Sequence, residues 1–163
     1  QIISGLKKTF WPARLQKISS GKFFNLLPKN HQLYLDGSHN LAGAQNVAEF
    51  LKNKKDCQKI MIFSMLKDKD CRGFLNVIKD EIDELITIEI ADEVKNIASV
   101  EINKIAAELQ INSQVSQDIF SAIKLASRSE KPTLIIVCGS LYLAGSFLAE
   151  NSVVAHLRCV NKF

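Results

Sequence analysis

Beyond residue 30 the chain alternates between two hydrophobic periods. Short apolar runs stand at "QLYL" (32–35), "KIMIFSML" (59–66), "ELITIEIA" (84–91), "SQV" (113–115) and "PTLIIVCG" (132–139). Their length and their branched and aromatic residues predict strands. Between them, apolar residues recur three and four apart, the spacing of one helix face. Ala44, Val47, Ala48 and Leu51 form such a stripe after Leu41, and helices are predicted over 71–82, 99–110, 117–128 and 140–151. In the segment 99–110, Ile102, Ile105, Ala106 and Leu109 share a face, and Ser99 is placed to cap it. Strands alternating with helices of this length predict an α/β architecture, a mostly parallel sheet with helices on both faces. The continuous run "LIIV" agrees, because central parallel strands are buried on both sides.

Upstream, "RLQKIS" and "FFNLLP" read as two short strands joined at Ser20-Gly21, an N-terminal antiparallel edge hairpin. The segment "SVVAHLRCVNKF" (152–163) has no clear partner and reads as an edge strand or an extension. The organisation expected is a linker remnant over 1–10, one domain over 11–151, and an extension over 152–163. The first residue is Gln, which points to a fragment, a processed piece or a trimmed chain.

Composition narrows the function classes. With 163 residues, 47% of them hydrophobic and 23% charged, the chain suits one globular domain. A domain of this size buries about 70% of its unfolded surface, so no disulfide or metal staple is required. The net charge of +4 comes from scattered lysines without interleaved aromatics, which gives no nucleic-acid footprint. The densest basic run, Lys52, Lys54 and Lys55, falls where it complements a helix dipole. No apolar stretch reaches membrane-spanning length, and the start has no signal-peptide pattern. Cys57, Cys71, Cys138 and Cys159 form no CxxC unit or zinc spacing, so no metal site is expected in this chain.

In open α/β sheets, ligands bind beyond the carboxyl ends of the strands. Three such ends carry chemistry. After "LYL" comes Asp36-Gly37-Ser38-His39-Asn40. An Asp there can accept from a ribose, and His39 and Asn40 can donate to phosphate. Equally, Asn40 or Ser38 caps the next helix while Asp36 supports its dipole. A Ser-His-Asp hydrolase is a poor reading, because a triad is assembled in space and not from sequence neighbours. Lys67-Asp68-Lys69-Asp70 reads as a solvated turn in which Asp70 caps the following helix. Ser140, in "CGSLY", is either a helix cap or a donor to a bound carboxylate. Its single Gly is no dinucleotide fingerprint, and no GxxxxGK[ST] phosphate loop occurs in the chain. Arg14, after Trp11-Pro12, is either a surface residue or a guanidinium that reaches a phosphate.

Four of these segments, "WPARLQKI", "LYLDGSHN", "MLKDKD" and "CGSLYLAG", in this order and spacing, resemble the C-terminal domain of folylpolyglutamate synthase/dihydrofolate synthase, in the Mur ligase superfamily. The resemblance runs from about residue 10 to 151. Departures from the usual pattern are Ala13 for Gly, Ser38 for a smaller residue, and Leu41 for Pro after His-Asn. The resemblance implies a Rossmann-like domain that closes over ATP. It implies an ATP-dependent ligase that adds L-glutamate to dihydropteroate or a folate through an acyl phosphate. By resemblance Arg14 contacts the ATP phosphates, Asp36 the ribose and His39 the phosphate region, while Ser140 lies in the glutamate pocket. The phosphate loop and the Mg²⁺ ligands would belong to an N-terminal ATPase domain outside this chain, so no self-contained catalytic set is expected here. A cytoplasmic monomer that binds neither nucleic acid nor membrane is expected. The alternatives are a stand-alone nucleotide- or amino-acid-binding module, a decayed remnant, or a Mur-type ligase acting on a peptidoglycan precursor.

Overall fold

A computed structural model describes residues 13–90 and 95–157, with side chains placed as far as Ser152. Trp11, Pro12, Cys159 and the predicted linker remnant over 1–10 lie outside the described residues.

Six strands form one sheet in the order β1-β2-β6-β3-β4-β5. They are β1 (Gln16–Ile18), β2 (His31–Leu35), β3 (Gln58–Phe63), β4 (Glu84–Thr87), β5 (Ser113–Val115) and β6 (Thr133–Cys138). Five run parallel, and β1 alone is antiparallel, on β2. Five helices connect or follow them: α1 (Leu41–Lys52), α2 (Cys71–Ile78), α3 (Ser99–Glu108), α4 (Ile119–Ala126) and α5 (Leu141–Leu157). Strand alternation divides the core into two layers. Leu33, Leu35, Ile60, Ile62, Ile135 and Val137 face α4 and α5. Tyr34, Met61, Phe63, Leu134 and Ile136 face α1, α2 and α3. Central strands bury both faces, which is why β6 is apolar at nearly every position.

The structure departs from the sequence reading at four places. "FFNLLP" is not a strand. Phe24–Leu26 form a single 3-10 turn, and β1 pairs with β2, Ile18 opposite Leu33. The redirection has a local cause. Gly21 turns at φ +105°, and the Asn151 side chain locks the turn, accepting from Phe23 N at 2.9 Å and donating to the Ser20 carbonyl at 3.0 Å. This seats Phe23 against Phe147, with ring centroids 4.9 Å apart. Asn151→Ala removes both bonds; at about 1 kcal/mol each, it should lower stability by roughly 2 kcal/mol in urea unfolding.

Second, α5 continues to Leu157, so 152–157 is not an edge strand. No Gly or Pro interrupts it there, and Ser152 Oγ donates back to Leu148 O at 2.7 Å. Third, Ser99 is not the N-cap of α3. Ala98 holds that position, and Ser99 N and Oγ both donate to Glu89 Oε1, at 3.2 and 3.3 Å. Fourth, β4 stops at Thr87 and not at 91, because its neighbour β5 ends at Val115, opposite Thr87.

His31, at the start of β2, is buried. Its Nδ1 lies 2.9 Å from Asn30 Oδ1, and its Nε2 has no partner among the described residues. Desolvation lowers its pKa from the ordinary 6.5. The unfolded chain therefore binds a proton here at a higher pH than the folded one. Stability is full above about pH 6.5 and falls as the pH drops toward the folded-state pKa. Thermal melts of the wild type should lose midpoint temperature below about pH 6.5, and His31→Gln should lose less over the same interval.

Candidate functional site

The strand order creates one crevice. β2 and β3 send α1 and α2 to one face, whereas β6, inserted between them, sends α5 to the other. Loops that leave neighbouring strands toward opposite faces part at the carboxyl end, and ligands of open α/β sheets bind there. A cavity of about 200 Å³ lies in this crevice, lined by His39, Leu66, Lys69, Gly139, Ser140, Leu141 and Tyr142.

Each wall has a local reason. Asn40 caps α1 by accepting from Gly43 N at 2.9 Å. His39 precedes it, half-buried, with Nδ1 2.9 Å from the Gly37 carbonyl. Only a protonated Nδ1 can make that bond, so in the neutral ring Nε2 carries the lone pair. Ser140 is 2% exposed and accepts from Tyr142 N at 3.1 Å, capping α5. Gly139 beside it has φ +111°, which brings the β6–α5 turn close under the end of β3. On the third side the "MLKDKD" loop folds back on itself: Lys69 N donates to Leu66 O at 3.1 Å and Lys67 N to Lys95 O at 2.8 Å. Asp70 caps α2 through Gly73 N at 2.8 Å. This carries Lys69 into the cavity wall, where its Nζ also meets the exposed Asp68 at 2.9 Å.

Asp36 and Arg14 do not line the cavity but lie beside it. Asp36 is 3% exposed. Its Oδ2 accepts from Leu15 N and its Oδ1 from Ser38 N, both at 2.8 Å, and the Cys138 thiol sits 3.9 Å from Oδ1. Gly37 N donates to the Ala13 carbonyl at 2.8 Å, so the segment bearing Arg14 is stitched to the "DGSHN" turn. Arg14 itself is exposed. Burial, and then the Asp36 charge, push the Cys138 thiol well above its ordinary pKa, so it stays a neutral donor.

The structure thus brings His39 and Ser140 to one cavity and ties the segment that bears Arg14 to Asp36 next to it. Lys69 is the residue that sequence reasoning left as structural. Alternating Lys and Asp read as a solvated turn, and the fold-back that aims the loop depends on Lys95, which is distant in sequence. The Leu15 amide as the partner of Asp36 was equally hidden, because that bond spans 21 positions.

The cavity is small and combines a lysine, an imidazole nitrogen, a hydroxyl and the start of a long helix. Such a set suits anionic groups, phosphates or carboxylates. Among the described residues no group of three His, Cys, Asp or Glu side chains could hold a metal ion. Fold and crevice together define a doubly wound, mostly parallel α/β domain with a cavity at the carboxyl edge of its sheet.

A family profile described as "Dihydrofolate synthetase, C-terminal domain" matches residues 19–150, and the chain belongs to that family. The chain is 31% identical over 148 residues to the dihydrofolate synthase/folylpolyglutamate synthase of Bacillus subtilis, covering 85% of this chain and 30% of the relative. It is 26% identical over 151 residues to a probable dihydrofolate synthetase of Schizosaccharomyces pombe, covering 87% of this chain and 34% of the relative. Among solved structures, folylpolyglutamate synthase of Mycobacterium tuberculosis complexed with ADP and AMPPCP superposes with a TM-score of 0.74 at 21% identity, covering 90% of this chain and 33% of that one. FolC of E. coli in complex with DHPP and ADP gives 0.73 at 20% identity, covering 94% and 34%. The likeness to these structures shows the shared Rossmann-like fold, with β1 antiparallel at the edge. The chain spans about a third of the length of each of these relatives.

Proposed function

We propose that this chain is the C-terminal part of an ATP-dependent ligase that joins L-glutamate to dihydropteroate or a folate. The observation that carries the reading is the convergence of His39, Lys69 and Ser140, from three strand ends, on one small cavity in the crevice. In such a reaction ATP phosphorylates the acceptor carboxylate. The glutamate amine attacks the acyl phosphate, forming the amide and releasing phosphate. Phosphoryl transfer of this kind depends on charge neutralisation and positioning. Arg14 supplies a permanent cation for the ATP phosphates, and His39 donates from Nε2 in the phosphate region when both of its ring nitrogens are protonated. Ser140 positions glutamate in the cavity. Asp36 lies beside the cavity; a contact with the ribose would have to share oxygens that already accept backbone N–H groups. Mg²⁺ and the phosphate loop belong, in this reading, to the N-terminal ATPase portion. Closure of the two portions would exclude water from the acyl phosphate. We take the protein to be a cytoplasmic monomer; among the described residues no helix is long and apolar enough to cross a membrane.

The test is reconstitution. Mixing the chain with a separately prepared N-terminal ATPase portion should restore ADP release that depends on glutamate and on dihydropteroate or folate. No release at saturating substrates, with both portions folded, would sink the reading. Micromolar ATP binding by the chain alone would favour an independent nucleotide-binding module.

A further inference from the structure

We infer that Asp36 is a positioning residue that holds Arg14 at the site by pinning a strained strap, Ala13–Leu15, to the turn after β2. The inference rests on the reading of Arg14 as a phosphate contact. Four non-glycine residues among those described have positive φ, and two of them, Ala13 at +55° and Leu15 at +45°, flank Arg14 on either side. Left-handed backbone is costly for a residue that carries a Cβ, and a strained pair persists only where its surroundings over-determine it. Three bonds do so here. Leu15 N donates to the buried Asp36 carboxylate at 2.8 Å, Gly37 N to Ala13 O at 2.8 Å, and Ala13 N to Gln16 Oε1 at 3.0 Å. Only the first is charge-assisted, the stronger kind. The other oxygen of Asp36 accepts from Ser38 N, which fixes the carboxylate within the turn itself. The Arg14 side chain has no ion pair or hydrogen bond with a described residue. Its placement is therefore left to its backbone, which Asp36 grips one residue away.

Two measurements test this. The first is amide hydrogen exchange on the 163-residue chain. The Leu15 amide should be protected in the wild type, and Asp36→Asn should speed its exchange at least tenfold more than it speeds amides of β6. An unprotected Leu15 amide in the wild type overturns the clamp, whether or not the variant folds. The second is a double-mutant cycle in the reconstituted enzyme. Arg14→Ala and Asp36→Asn should each lower kcat, with KM for ATP changed less than threefold, and the double variant should be no slower than Arg14→Ala. Multiplicative losses would overturn the inference, and a loss confined to KM for ATP would show instead that Asp36 touches the nucleotide. Wild-type turnover by Arg14→Ala would remove the reading on which the inference stands, an outcome distinct from impaired but independent variants.

Discussion

Gly139→Ala is expected to be the most damaging single substitution in the domain, lowering stability by about 3 kcal/mol or more. Two penalties combine. The residue sits at φ +111°, outside the region that alanine tolerates. A Cβ there would also clash with the Ser64 carbonyl and lie 2.5–2.7 Å from two atoms of the Phe63 ring. Neither neighbour can retreat. Phe63 is fully buried and packs on Phe74 at 5.3 Å between centroids, and the Ser64 backbone continues directly from β3. For a chain of this length the loss corresponds to roughly 10 °C in thermal midpoint. Gly145, within α5, is the control: nothing lies within 4 Å of its hypothetical Cβ. Gly145→Ala should be neutral or raise the midpoint, since alanine is favoured over glycine inside a helix by up to about 1 kcal/mol. Equal losses in the two variants would mean that the turn before Ser140 is not built as described.

The contrast marks what the sequence could reveal. Strands β3 and β6 were legible because double burial demands nearly continuous apolar runs, and α1 because its stripe has one period. The caps Asn40 and Asp70 were legible because the bond closes within three residues. What escaped depends on partners far along the chain. "FFNLLP" has strand-like composition, yet Asn151, 128 positions away from Phe23, bends it into a turn. Ser99 has the right chemistry for a cap, but its own N and Oγ donate to Glu89, and the Ala98 carbonyl takes the Glu101 and Ile102 amides. Lys69 looked solvated until the loop folded back under Lys95. In the site, the residue types at the rim were readable from strand-end position and from the resemblance. Their division into a cavity pair and a strap pair was not, because it follows from the bond of Asp36 across 21 residues.

That division decides what Arg14 should do. In the reconstituted enzyme, Arg14→Ala should lower kcat by roughly a hundredfold or more, with a smaller change in KM for ATP. Stabilising arginines in phosphoryl transfer are worth about 10³–10⁵; a value at or below that range is expected where a metal ion shares the charge. Its exposure argues against a structural contribution, so the variant should unfold within about 0.5 kcal/mol of the wild type. Arg14→Lys separates charge from shape. A lysine keeps the positive charge but loses the planar fork that grips two phosphate oxygens at once. If bidentate grip matters, lysine recovers only part of the lost rate. If net charge alone matters, lysine restores it nearly in full, and added salt lowers both rates alike. Wild-type turnover in Arg14→Ala would place the phosphates elsewhere, and the strained backbone on both sides of Arg14 would then serve the entry of the chain into the fold and not the chemistry.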